Sequence, residues 1–121
     1  MKNIKIILVI LVSSIFYVSC ESTTTQELEG VVLTPVYSKN IEPVMTAHCT
    51  SCHSDGGSQQ PPYLDTYDAV KAACLTSVNG NGTVLCRIDA SCGSIMPSNG
   101  DVLSKNTVST IKRWATQGYA N

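Results

Sequence analysis

The fold class predicted for this chain is all-α, with about three to four helices. Three observations predict it. Ile41, Val44, Met45 and His48 recur at three- and four-residue steps, and so do Val108, Ile111, Trp114 and Ala115; this is the period of a helix with one buried face. The stretches between are punctuated by Gly and Pro, which interrupt regular structure. The first helical stretch runs into Cys49-Thr50-Ser51-Cys52-His53, a C-x-x-C-H pattern that one helical turn can present along a single edge.

The chain has 121 residues, enough for one small domain after processing. A domain of that size buries a limited share of its surface and gains from a cofactor or a crosslink. The net charge is -1, with no Lys/Arg cluster, so nothing points to a nucleic-acid partner. Six cysteines in so short a chain suggest an oxidising compartment.

Residues 1–19 read as a signal peptide rather than as part of the fold. Lys2 and Lys5 make a basic start, and an apolar run over residues 6–18 is interrupted only by Ser13 and Ser14. That run is short for a membrane span and suits the apolar centre of a signal peptide. It ends in Tyr17-Val18-Ser19-Cys20, which resembles a bacterial lipobox; the resemblance implies that Cys20 is acylated and becomes the mature N-terminus. Residues 20–35 begin polar and lack a period, as a flexible tether would, with Val31-Val32-Leu33 as an apolar patch able to dock on the domain.

The domain is placed at residues 36–121. Its first helix is expected over residues 37–52, with Asn40 as a cap and Pro43 early enough that its missing N–H does no harm. Residues 54–62 form a loop rich in Gly and Pro. Asp65 or Thr66 caps a second helix through Tyr67, Ala69, Val70 and Ala73. Asn79-Gly80-Asn81-Gly82 turns the chain, and residues 83–88 are β-prone but short enough to be extended chain or a helical turn. After a loop at Gly93-Ser94-Ile95-Met96-Pro97, the last helix starts at Ser104 or Lys105, and Gly118 can end it.

The C-x-x-C-H pattern is the attachment signature of a c-type haem. Two thiols add across the two vinyl groups of the porphyrin, and the adjoining His53 can rise under the iron as its proximal ligand. A closed zinc site would need four ligands at recognisable spacing. The remaining candidates, His48, Cys74, Cys86 and Cys92, offer no second C-x-x-C and no H-x-x-x-H. A thioredoxin-like pair would need a βαβ setting, and no such alternation is visible.

With these parts in order, residues 37–119 resemble a class I monohaem cytochrome c, of the kind found in bacterial lipoproteins and membrane oxidoreductases. The motifs that carry the resemblance are Cys49-Thr50-Ser51-Cys52-His53, Pro62-Tyr63-Leu64, Met96-Pro97 and the closing helix with Trp114 and Gly118. The resemblance implies a small cytochrome c fold whose first and last helices cross, with one covalent haem in the crevice. It implies His53 and Met96 as the iron ligands. It implies that the Pro62 carbonyl accepts the proton of the second His53 nitrogen, and that Leu64, Ile88, Ile95 and Trp114 pack the haem or the helix crossing. Met96 is also singled out by its placement, since Met45 sits on the helix of the haem turn whereas Met96 lies in a loop able to project a thioether inward. His48 reads as a surface or propionate neighbour.

Cys74, Cys86 and Cys92 are extra to the family pattern. They allow one disulfide and leave one thiol; the three pairings stay open, and either one involving Cys74 would brace the segment of Met96. The expected function is that of an exported, lipid-anchored electron carrier in the periplasm or outside the cytoplasmic membrane, not a catalyst in its own right. Its expected partners are redox proteins or membrane respiratory complexes. The other readings are a haem enzyme accessory or gas-binding sensor with an open sixth position, and a C-x-x-C lipoprotein with zinc or a disulfide and no haem.

Overall fold

The computed structural model describes residues 30–59 and 61–121. The expected signal peptide, Cys20 and the tether up to residue 29 lie outside the described residues. A π turn, Tyr37–Ile41, runs directly into α1, Glu42–His48; α2 is Tyr67–Leu75, α3 is Val84–Arg87 and α4 is Lys105–Thr116. Among the described residues there is no strand, so the helical class holds.

The first helix differs from expectation at both ends. Pro43 has no N–H to give the carbonyl of Lys39, and in a regular α-helix its ring would press on that carbonyl. The chain widens there instead, and the Glu42 N–H reaches back to the Tyr37 carbonyl. Asn40 does not cap α1; its Oδ1 accepts from the Val36 N–H at 3.0 Å. Helix α1 then stops at His48, so Cys49 to His53 lie in the turn beyond it rather than on the helix.

The later elements follow local signals. Thr66 caps α2, its Oγ1 accepting from the Ala69 N–H at 3.3 Å, and Val70, Ala73 and Cys74 form the buried stripe. Residues 83–88, ambiguous in sequence, contain the short helix α3. Ser104 caps α4 by accepting from the Thr107 N–H at 3.1 Å. Gly118, at φ 93°, lets the chain close a Schellman motif, with Tyr119 N–H on the Trp114 carbonyl at 3.0 Å and Gly118 N–H on the Ala115 carbonyl at 3.3 Å.

The first and last elements meet at an aromatic cluster. Trp114 is fully buried, with ring centroids of Tyr37, Tyr67 and Tyr119 at 5.8, 6.2 and 4.9 Å. The carbonyl of Ala120 accepts from both Trp114 Nε1 at 2.7 Å and the Tyr37 N–H at 2.9 Å. Residues 31–35, at the end of the expected tether, lie along α4: Val32 N–H donates to Thr110 Oγ1 at 3.3 Å, and Gln117 Nε2 donates to the Leu33 carbonyl at 2.9 Å. Ile41 and Met45 from the first helix join Val70, Leu64, Ile88 and Ile111 in one core.

Candidate functional site

Beside that core lies a cavity of about 310 Å³, within the size range of small-molecule and cofactor pockets. Its wall contains Cys49, Cys52, His53, Pro62, Leu64 and Met96. Every site residue named from the sequence therefore lines one space, although three separate chain segments supply them.

The C-x-x-C-H turn is built on one carbonyl. Cys49 O accepts from the Cys52 N–H at 3.1 Å and from the His53 N–H at 2.9 Å, which winds both thiol-bearing residues and the histidine into a single turn. Neither Cys49 nor Cys52 is in a disulfide; Cys49 is half-buried and Cys52 exposed. Burial pushes the Cys49 thiol up to about 11, so it is neutral at ordinary pH. The loop after the turn folds back over it, with Gln59 N–H on the Cys52 carbonyl at 3.0 Å. Gly57 makes that approach feasible, since a Cβ there would sit 2.3 Å from Cys52 O.

His53 is held twice by the next segment. Its carbonyl accepts from the Leu64 N–H at 2.7 Å, and its Nδ1 lies 3.1 Å from the Pro62 carbonyl. A carbonyl can only accept, so this contact places the ring proton on Nδ1 and leaves the Nε2 lone pair free to coordinate. Leu64 is buried at the same place and supplies apolar wall with Ala73, Val84 and Ile88.

Met96 reaches the wall from the loop after α3, its N–H donating to the Arg87 carbonyl at 2.9 Å. Met45 is a core residue, 1% exposed. His48 stands at the cavity edge, where its Nδ1 donates to Asp101 Oδ2 at 2.8 Å. Of the packing residues expected from the resemblance, Leu64 and Ile88 line the cavity, Trp114 belongs to the helix crossing, and Ile95 is half-buried beside Met96.

Three residues escaped the sequence reading. Gly57 and Gly82 were read only as loop glycines, but their bare backbones are close approaches, the first to Cys52 O and the second to the sulfurs of Cys86 and Cys92. Arg87 lines the cavity, and its Nε is buried without a hydrogen-bond partner. A cation inside the short apolar run Val84-Leu85-Cys86-Arg87-Ile88 was the signal that could have found it.

These features fit a haem. The wall is largely apolar, as a porphyrin plane requires. Two unpaired thiols and an oriented imidazole sit on one turn, a thioether lies in the same wall, and the orphaned guanidinium nitrogen of Arg87 would be satisfied by an acidic group such as a haem propionate. Among the described residues, no three His, Cys, Asp or Glu side chains group closely enough to hold a metal ion by themselves. Comparison of the chain with protein-family models, curated proteins and solved structures finds no match.

Proposed function

We propose that this chain is an exported, lipid-anchored monohaem c-type cytochrome that carries single electrons between redox partners near a membrane. One observation carries the reading: Cys49, Cys52, His53, Pro62, Leu64 and Met96 line the same cavity, and His53 is oriented there by the Pro62 carbonyl. The bound haem would supply the one-electron chemistry, its iron alternating between ferric and ferrous states.

The residues of the chain have separable roles in this reading. Cys49 and Cys52 hold the group covalently through thioethers. His53 presents Nε2 to the iron, and the Nδ1–H bond to Pro62 fixes the ring and raises its basicity. Met96, in the same wall, would supply its thioether as the other protein ligand. Two such protein ligands would favour electron transfer over capture of a small molecule, and methionine ligation would raise the potential relative to a second histidine. Leu64, Ala73 and Ile88 exclude water, and Arg87 faces the acidic edge. The unpaired state of Cys49 and Cys52 supports haem attachment over a plain disulfide. A lipid on Cys20 would keep the domain beside membrane-bound partners.

The test is to express the full chain with a haem-attachment system, fractionate the cells and extract the membranes with acidified acetone. Red colour that stays with the membrane-held protein through extraction is the expected result. Colour that leaves with the solvent overturns covalent attachment, and a soluble coloured protein overturns the anchor.

A further inference from the structure

We propose that the Cys86–Cys92 disulfide is a positioning pair for Met96. The inference rests on the cytochrome reading above and goes beyond it, because it assigns control of the second axial position to a bond outside the cavity's ligand set. Cys86 lies on α3, whose Val84 and Arg87 line the cavity. The chain leaves α3 after Arg87 and returns to it when the Met96 N–H meets the Arg87 carbonyl at 2.9 Å. Residues 88–95 are thus an excursion that begins and ends at one place, and the disulfide ties its middle, Cys92, back to α3, with Cα atoms 5.3 Å apart.

The same bond is seated on the cavity wall. A Cβ at Gly82 would lie 2.2 Å from Cys92 Sγ and 2.7 Å from Cys86 Sγ, so the two sulfurs pack on the bare Gly82 backbone. Gly82 and Thr83 are themselves wall residues. The disulfide therefore ties α3, the middle of the excursion and the wall into one unit, four positions before Met96 in the chain. The other restraints on the excursion are weaker. Ser91 N–H caps the Cys86 carbonyl at 2.9 Å, and Asp89 pairs with Lys112 at the surface, where an ion pair contributes little. Ile88 anchors the start of the excursion in the core, but Ser91, Gly93 and Ser94, on either side of Cys92, carry no apolar side chain. Without the crosslink, the approach to Met96 would be held only by its N–H bond to the Arg87 carbonyl and by the half-buried Ile95 beside it.

The experiment uses the full chain with haem attached. Wild type and Cys86→Ser/Cys92→Ser are compared by the ferric sulfur-to-iron charge-transfer band and by carbon monoxide binding to the ferrous protein. Wild type is also treated anaerobically with a water-soluble phosphine, which cleaves the disulfide to two thiols and leaves thioethers intact, and is then reoxidised. The expected result is a band reduced to less than half in the variant. Carbon monoxide should bind at least tenfold faster in both the variant and the phosphine-treated protein, with wild-type behaviour restored on reoxidation. The phosphine arm begins from folded protein, so a variant that fails to fold does not decide the matter. If both arms keep the wild-type band and wild-type carbon monoxide rate while only the melting temperature drops, the bond is structural and the proposal is overturned with the cytochrome reading intact. If untreated wild type lacks the band, Met96 ligation fails, and this proposal fails with it.

Discussion

His53 does two jobs through different atoms: its backbone carbonyl receives the Leu64 N–H, and its ring donates to the Pro62 carbonyl. Both bonds join the C-x-x-C-H turn to the 62–64 segment, so the orientation of the imidazole and the placement of the apolar Leu64 wall are fixed together. The two methionines of the described domain separate just as clearly. Met45 is buried in the core between the first helix and its neighbours, whereas Met96 lines the cavity. On the proposed cytochrome reading, Met96→Ala should keep its covalent colour but lose the sulfur-to-iron band. Its potential should fall by on the order of 100 mV, a fraction of the ~0.8 V over which axial ligands set haem potentials. Met45→Ala should keep the band and lose about 2–5 kcal/mol of stability, the usual cost of emptying a core site. Redox titration and chemical denaturation of the two variants check this, and an exchange of the two phenotypes would reassign the ligand.

At the scale of elements, the end of α4 matters because the aromatic cluster is mounted on it. Gly118 holds φ 93° so that Tyr119 can turn back over Trp114 and Ala120 can accept its two hydrogen bonds. An L side chain in that region costs about 1–2 kcal/mol, so Gly118→Ala should destabilise the domain by that amount. The visible spectrum of the proposed haem should stay unchanged, because Gly118 lies outside the cavity wall; a thermal melt and a visible spectrum are the two measurements. Features of this local kind were legible in the sequence. A cap at Asp65 or Thr66, a helix start at Ser104 or Lys105 and the Gly118 stop depend on residues a few positions away, and the C-x-x-C-H turn depends on its own carbonyl. The rest was written in contacts between distant segments. The first helix splits because Pro43 meets a π turn that is pinned by Tyr37 to Ala120. Residues 83–88 look β-prone alone, but form α3 where a disulfide and the cavity wall hold them. The choice of Cys86 with Cys92, leaving Cys74 buried as a thiol, could not be read from spacing. Met96 was placed by resemblance as much as by its own loop, and Arg87 was not placed at all, since its meaning appears only when its unpaired Nε is seen at the cavity.

For the molecule as a whole, the cavity and the core share walls. Leu64 and Ile88 are each 4% exposed and belong to the core, yet both also line the open space. An occupant of that space is therefore a structural part of so small a domain. An enclosed void costs ~24 cal/mol per Å³, which would give about 7 kcal/mol for the 310 Å³ here. This cavity opens to water, so less than half of that, about 3 kcal/mol, is the more reasonable figure. In a domain of this size such a loss lowers the melting midpoint by about 12–24 °C. If haem is attached as proposed, Cys49→Ala/Cys52→Ala, which would remove the attachment without touching the helix crossing, should show that drop relative to the haem-loaded protein. Trp114 gives an independent reading, being the only tryptophan in the chain. Its emission should rise in the variant because a haem that absorbs near its emission is gone. The emission should stay blue-shifted below the transition, because the cluster of Tyr37, Tyr67 and Tyr119 that buries it lies outside the cavity wall. Melting followed by circular dichroism and by Trp114 fluorescence checks both statements. A variant that melts within a few degrees of the loaded protein would show that the core stands without its occupant, and the cavity would then be a binding site only and not a part of the fold.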